Sequence, residues 1–115
     1  GDRFMAINRH ITITIAQGSP LSEGFQLDTG NLVGILMPDA FTGNSLAFEI
    51  LRPTDGTFLP HFDSMGQEVN IAVAPSRSIA LDDEIQGLPT RGFVRVRASQ
   101  IQNQEAQLIC VITEG

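Results

Sequence analysis

The sequence predicts an all-β protein, an antiparallel, jelly-roll-like β-sandwich of about eight short strands. Three observations carry that expectation. From Asn44 to Ala74 short apolar runs alternate with tight-turn chemistry, SLAFEILR, PTDG, TFLPHF, DSMGQ and EVNIAVA, which is the order of a β-meander. The same grammar, alternating strands punctuated by Gly, Asp and Pro, runs from Ile7 to Thr113 and leaves almost no room for a long helix. Finally, 42% of the 115 residues are hydrophobic and only 17% are charged, so the surface must rely on Ser, Thr, Asn and Gln, which suits a β protein better than a helical one.

Taken in order, Ile7 to Ala16 gives the first strand, with Ile11, Ile13 and Ile15 on one face and Thr12 and Thr14 on the other; β-branched residues at period two favour the extended chain. Gln17-Gly18-Ser19-Pro20 breaks it, and Leu21 to Leu27 holds a short extended piece around Phe25 and Leu27. Asp28-Thr29-Gly30-Asn31 is a turn. LVGILM, apolar on both faces, reads as a central strand stopped by Pro38, with Gly34 marking a bulge or a close backbone approach. Asp39 to Asn44 forms one helical turn or an irregular corner with Phe41 turned inward.

Leu46, Phe48 and Ile50 then alternate with Ala47, Glu49 and Leu51. Pro53-Thr54-Asp55-Gly56 places Pro and Asp-Gly at hairpin positions and should connect antiparallel neighbours. Phe58 and Phe62 flank Pro60, which argues for an edge position or a strand irregularity. Ser64-Met65-Gly66 turns the chain into an alternating strand of Val69, Ile71 and Val73, and Pro75-Ser76-Arg77 turns it again. Ser78 to Leu81 is short and extended, and Asp82 to Gly87 reads as a helical turn with acids at its N-terminus. Phe93 to Arg97 alternates, with both arginines opposite Val94 and Val96; a polar stretch from Ser99 to Glu105 leads to the last strand, Gln107 to Thr113. That many strands in one domain implies two packed sheets or a compact barrel.

Charge and cysteine content narrow the function classes. All 7 basic residues are Arg, and against 13 acids they leave a net charge of −6, a balance that repels phosphate backbones; nucleic-acid binding is not expected. The single Cys110 lies in the apolar run LICVIT and reads as a small buried hydrophobe, so no intramolecular disulfide staples the fold. GDRFMAINRH lacks the apolar stretch of a secretion signal, and no apolar run is long enough to span a bilayer. Gly1 to Phe4 read as a remnant ahead of Met5, and residues 1–6 as an N-terminal arm.

No cluster demands a particular reaction. His10 and His61 are the only histidines and lie far in sequence from Cys110, so neither a zinc site nor another metal site or cofactor is expected. No Gly-x-Ser-x-Gly elbow occurs, and Asp82-Asp83-Glu84, or Asp28 with Asn31, fits a solvated turn better than a calcium loop. Trp and Tyr, which combine a ring with a polar handle, are absent, and the 7 Phe are expected in the core. The protein is therefore expected not to be an enzyme. The one concentrated basic feature is Arg91, Arg95 and Arg97, which share a strand face. Two readings fit it: a solvated sheet face with cross-strand partners such as Glu105 or Glu114, or a ridge contacting an acidic partner, since Arg is enriched at protein interfaces.

The order LSEGFQL, NLVGILMPDAFTGNSLAFEI, PTDGTFLPHFDSMGQEVNIAV, SRSIALDD and RGFVRVRAS, with a polar NQEAQ step before the last strand, resembles a group of small tailed-bacteriophage structural proteins. The resemblance covers about Ser19 to Thr113 and rests on order and turn residues. Two departures stand out: Phe41 replaces the Trp usual after Met-Pro, and Arg97-Ala98-Ser99 replaces an Arg-Ser-Gly. The resemblance implies a virion component assembled in the host cytoplasm, a head decoration protein or the base of a head fibre, with a tail accessory protein as a near variant. Its implied partners are other virion proteins, the major capsid protein first, and further copies of itself in a trimer or another cyclic oligomer, with neither nucleic acid nor membrane. Two competitors come from other classes: a carbohydrate-binding module, which an exposed concave polar face would favour, and a jelly-roll esterase or glycosidase, which would need two inward acids about 5–9 Å apart.

Overall fold

The computed structural model describes residues 7–27, 30–81 and 93–114. Among them lie nine strands: β1 (Ile7–Ile15), β2 (Phe25–Gln26), β3 (Asn31–Leu36), β4 (Ser45–Arg52), β5 (Thr57–Pro60), β6 (Asn70–Ala72), β7 (Ser78–Ala80), β8 (Phe93–Ala98) and β9 (Ala106–Glu114). They form two antiparallel sheets, one ordered β1-β9-β3-β7 and the other β2-β8-β4-β5, with β6 also on β4. This is a sandwich and not the alternative single barrel. Pairing is nested: β1 with β9, β2 with β8, β3 with β7, and β4 with β5 and β6. One long hairpin, its tip at the turn between Arg52 and Thr57, is rolled so that its successive rungs fall alternately in the two sheets, which is the jelly-roll arrangement.

Period-two patterning explains which faces meet. Ile13 and Ile15 of β1, Leu108, Cys110 and Ile112 of β9, and Leu32 and Ile35 of β3 line the inner side of one sheet, all fully buried. Leu46 and Phe48 of β4 with Val94 and Val96 of β8 line the other. β3 is central, as LVGILM predicts, and its register against β9 shifts between Leu32 and Gly34, the bulge that the glycine signals. A Cβ at Gly34 would stand 3.3 Å from the Ile79 carbonyl oxygen, so the β7 backbone lies close against it. Phe41 turns inward as expected, in an irregular corner without a helical turn.

Two expectations change. The run from Asn44 to Ala74 is not a side-by-side meander: β5 pairs with Glu49 to Arg52 and β6 with Ser45 to Ala47, end to end along one edge of β4. The His61 N–H bonds the Phe48 carbonyl and the Val69 N–H bonds the His61 carbonyl, so β5 and β6 act as one edge strand interrupted by an excursion over residues 62–69. Asp63 ties the excursion together, its Oδ1 accepting from the Met65 and Gln67 N–H groups. Second, the phenylalanines are not all core: Phe25, Phe41 and Phe48 are buried, whereas Phe62 is 52% and Phe93 41% exposed. Within the polar stretch after β8, Gln102 is only 1% exposed. The turn at Asp28-Thr29, the acidic segment from 82 to 87, Arg91 and the residues before Ile7 lie outside the described residues.

Candidate functional site

On β8 the inward set Val94, Val96 and Ala98 leaves Phe93, Arg95 and Arg97 on the outer face of the five-stranded sheet. β4 is the neighbour, in a register that sets Glu49 opposite Arg95 and Ala47 opposite Arg97. The Arg95 Nε donates to Glu49 Oε1 at 2.7 Å, and Arg97 Nη1 donates to Glu49 Oε2 at 2.8 Å. Arg97 Nη2 reaches Glu68 Oε2 at 2.6 Å. Glu49 is buried beneath the two arginines although it belongs to the outer face. Donation to Glu68 raises the Arg97 pKa by more than burial lowers it, and donation to Glu49 raises it further, so this cation is fixed.

Of the predicted basic residues, the structure therefore brings Arg95 and Arg97 together and gives each a carboxylate. The partners are Glu49 and Glu68 rather than Glu105, which accepts instead from the Gln107 side-chain amide; the Glu114 side chain lies outside the described residues. Sequence patterning hides Glu49, because a single acid on the polar side of an alternating strand looks solvated until the β4–β8 register is known. The Arg95 guanidinium also lies 4.2 Å from the centroid of the Phe58 ring on β5, a cation–π contact. Gly24 makes room for this group: a Cβ there would stand 3.3 Å from Phe58 Cζ and 3.4 Å from Phe93 Cδ1. The result is a row of Phe58, Arg95, Glu49, Arg97 and Glu68, balanced in charge, with Phe93 exposed beside it.

Beyond Arg97 the same face opens into a groove of about 440 Å³, floored by Ser45 and Ala47 and walled by Asn70, Arg97, Ser99 and Ile101. His10 is exposed and His61 half-buried. Among the described residues no group of three or more His, Cys, Asp or Glu side chains could hold a metal ion. Burial, with a smaller push from the Glu23 charge, raises the Cys110 thiol to about 12, so it is held as the neutral thiol. No protein-family model, curated protein sequence or solved structure matches this chain.

Proposed function

We propose that the protein is a non-enzymatic bacteriophage virion component that adheres to the capsid surface, as a decoration protein or the base of a head fibre. The observation that carries the adhesive part is the pre-ordered row on the outer face of the five-stranded sheet. Arg95 and Arg97 are already held by Glu49 and Glu68, and Arg95 is stacked on Phe58. Ordering a free arginine or phenylalanine at an interface costs about 0.5–1.5 kcal/mol each, and here much of that ordering precedes docking. Arg and aromatic residues are also the types that dominate binding energy at protein interfaces. The resemblance of the turn order to phage structural proteins supplies the partner, the major capsid protein. A symmetric lattice multiplies weak contacts, so such a face needs no single deep pocket.

Co-sedimentation with heads purified from the phage that carries the gene tests this reading. Wild-type protein is expected to pellet with heads, and Phe93→Asp to weaken the Kd for heads about tenfold, equivalent to about 1.4 kcal/mol. Failure of the wild-type protein to bind any head or tail preparation would refute it. Arg95 and Arg97 are the interface residues we assign within the described chain, and Arg91, outside the described residues, is proposed with them.

A further inference from the structure

The groove at the far end of this face has features that docking does not use. Ser45 and Ala47 are the smallest outward side chains of β4, flanked further along by Glu49 and Leu51. Asn70 on β6 and Arg97 on β8 are both paired with Ala47, one from each side. The three positions form a transverse step of pillar, gap and pillar, with the outer strands about 9–10 Å apart, twice the interstrand spacing. The turn from Ser99 to Ile101 closes one end. From Leu51 to Ser45 is six residues, about 20 Å along β4, so the groove floor lies well away from the Phe58–Phe93 end of the face, and Arg97, level with Ala47, stands at the boundary between the row and the groove.

The groove's lining is mixed: Pro20, Ala47, Ala98 and Ile101 give it more apolar than polar surface, and its polar groups are partly unspent. The Ser45 hydroxyl and the Gln100 side-chain amide have no hydrogen-bond partner in the described protein. Asn70 uses one N–H on the Glu68 carbonyl, which leaves its amide oxygen and second N–H available. The Ser99 hydroxyl accepts from the Asn44 N–H and keeps its own proton to donate. Arg97 contributes a guanidinium whose charge Glu49 and Glu68 already balance. Ile101, 60% exposed, adds an apolar surface at the closed end.

From this we infer that the groove is a binding site for a neutral polyhydroxylated ligand, a short uncharged glycan of about disaccharide size. Vicinal hydroxyls present donor and acceptor pairs that match the amides of Asn70 and Gln100 and the hydroxyls of Ser45 and Ser99. The ring's C–H face suits Ile101. Anionic ligands are disfavoured, because the guanidinium is neutralised and the chain carries a net charge of −6. A volume of about 440 Å³ lies in the lower part of the range of about 300–1,000 Å³ for small-molecule sites.

The test is titration of the ¹⁵N-labelled full chain, followed by NMR, with cellobiose, lactose, maltose, N,N′-diacetylchitobiose and 3′-sialyllactose. At least one neutral disaccharide should shift amides confined to residues 45–47, 70 and 97–101. The double variant Asn70→Ala/Gln100→Ala, both positions exposed, should keep the wild-type melting temperature and weaken that binding at least tenfold. Absence of localised shifts with every neutral sugar would overturn the inference, as would equal binding by the double variant or binding of sialyllactose as tight as that of the best neutral disaccharide. Head co-sedimentation of the same variant separates the two proposals: it should bind heads as the wild-type protein does, whatever the sugar result.

Discussion

Glu49 lies on the outer face of β4 and is nevertheless buried, because Arg95 and Arg97 fold over it. Removing the carboxylate leaves two guanidinium groups short of a partner, although each keeps a quarter to a third of its surface in water, which softens the penalty. Glu49→Ala is expected to lower the unfolding free energy by about 2 kcal/mol in urea titration, and Glu105→Ala by less than about 0.5. Gln102 is the second such residue. Its amide nitrogen donates to the Thr42 and Gln100 carbonyls and its oxygen accepts from the Thr42 N–H, while its backbone bonds Ser19 and Gly18. Gln102→Leu should cost about 2–3 kcal/mol, since burying the Thr42 N–H and carbonyl unpaired outweighs the added apolar contact. At the surface, Arg52 and the Thr57 N–H hold the Asp55 carboxyl down to about 2. A carboxyl depressed on folding stabilises above its ordinary value near 3.8 and loses that contribution as pH falls through about 2. An NMR titration should place the Asp55 midpoint near 2, and Arg52→Ala should move it up toward the ordinary value.

At the scale of elements, period two and turn chemistry made most strands legible. β1, β3, β4, β8 and β9 fall within a residue or two of the runs that predict them, and the bulge in β3 sits at Gly34. The meander expectation fails for a physical reason. Tight turns and alternation specify strands, but not which edge each strand joins, and β4 is long enough for two short strands to share one side. The same limit hid the site: Arg95 and Arg97 were visible, Glu49 and Glu68 were not, because their roles depend on register between distant segments. Gln102 was hidden differently, since a buried glutamine in a polar stretch leaves no periodic trace. Gly43 shows how tightly the corner before β4 is made. Its φ is +112°, and a Cβ there would approach the Ser99 Oγ to 2.8 Å. Gly43→Ala should destabilise by about 2 kcal/mol through both backbone strain and contact, whereas Gly66→Ala, at φ +84° with nothing within 4 Å, should carry only the strain of about 1 kcal/mol.

Over the whole molecule, the nested pairing of β1 with β9 through β4 with β5 leaves one sheet to complete the core and the outer face of the other to carry the unusual chemistry. That face has two ends. Phe58, Arg95 and Phe93 form an ordered cation–aromatic surface at one, and small residues between Asn70 and Arg97 form the groove at the other. Adhesion is proposed for the first end and glycan binding for the second, and a particle lattice would repeat both. The central claim is that the first end meets the capsid. Hydrogen–deuterium exchange of the protein, free and bound to purified heads, tests it most directly. The account predicts slowed exchange over residues 57–60 and 93–97, with the outer face of the β1-β9-β3-β7 sheet unchanged; protection of that opposite sheet alone, or no protection anywhere, would contradict it.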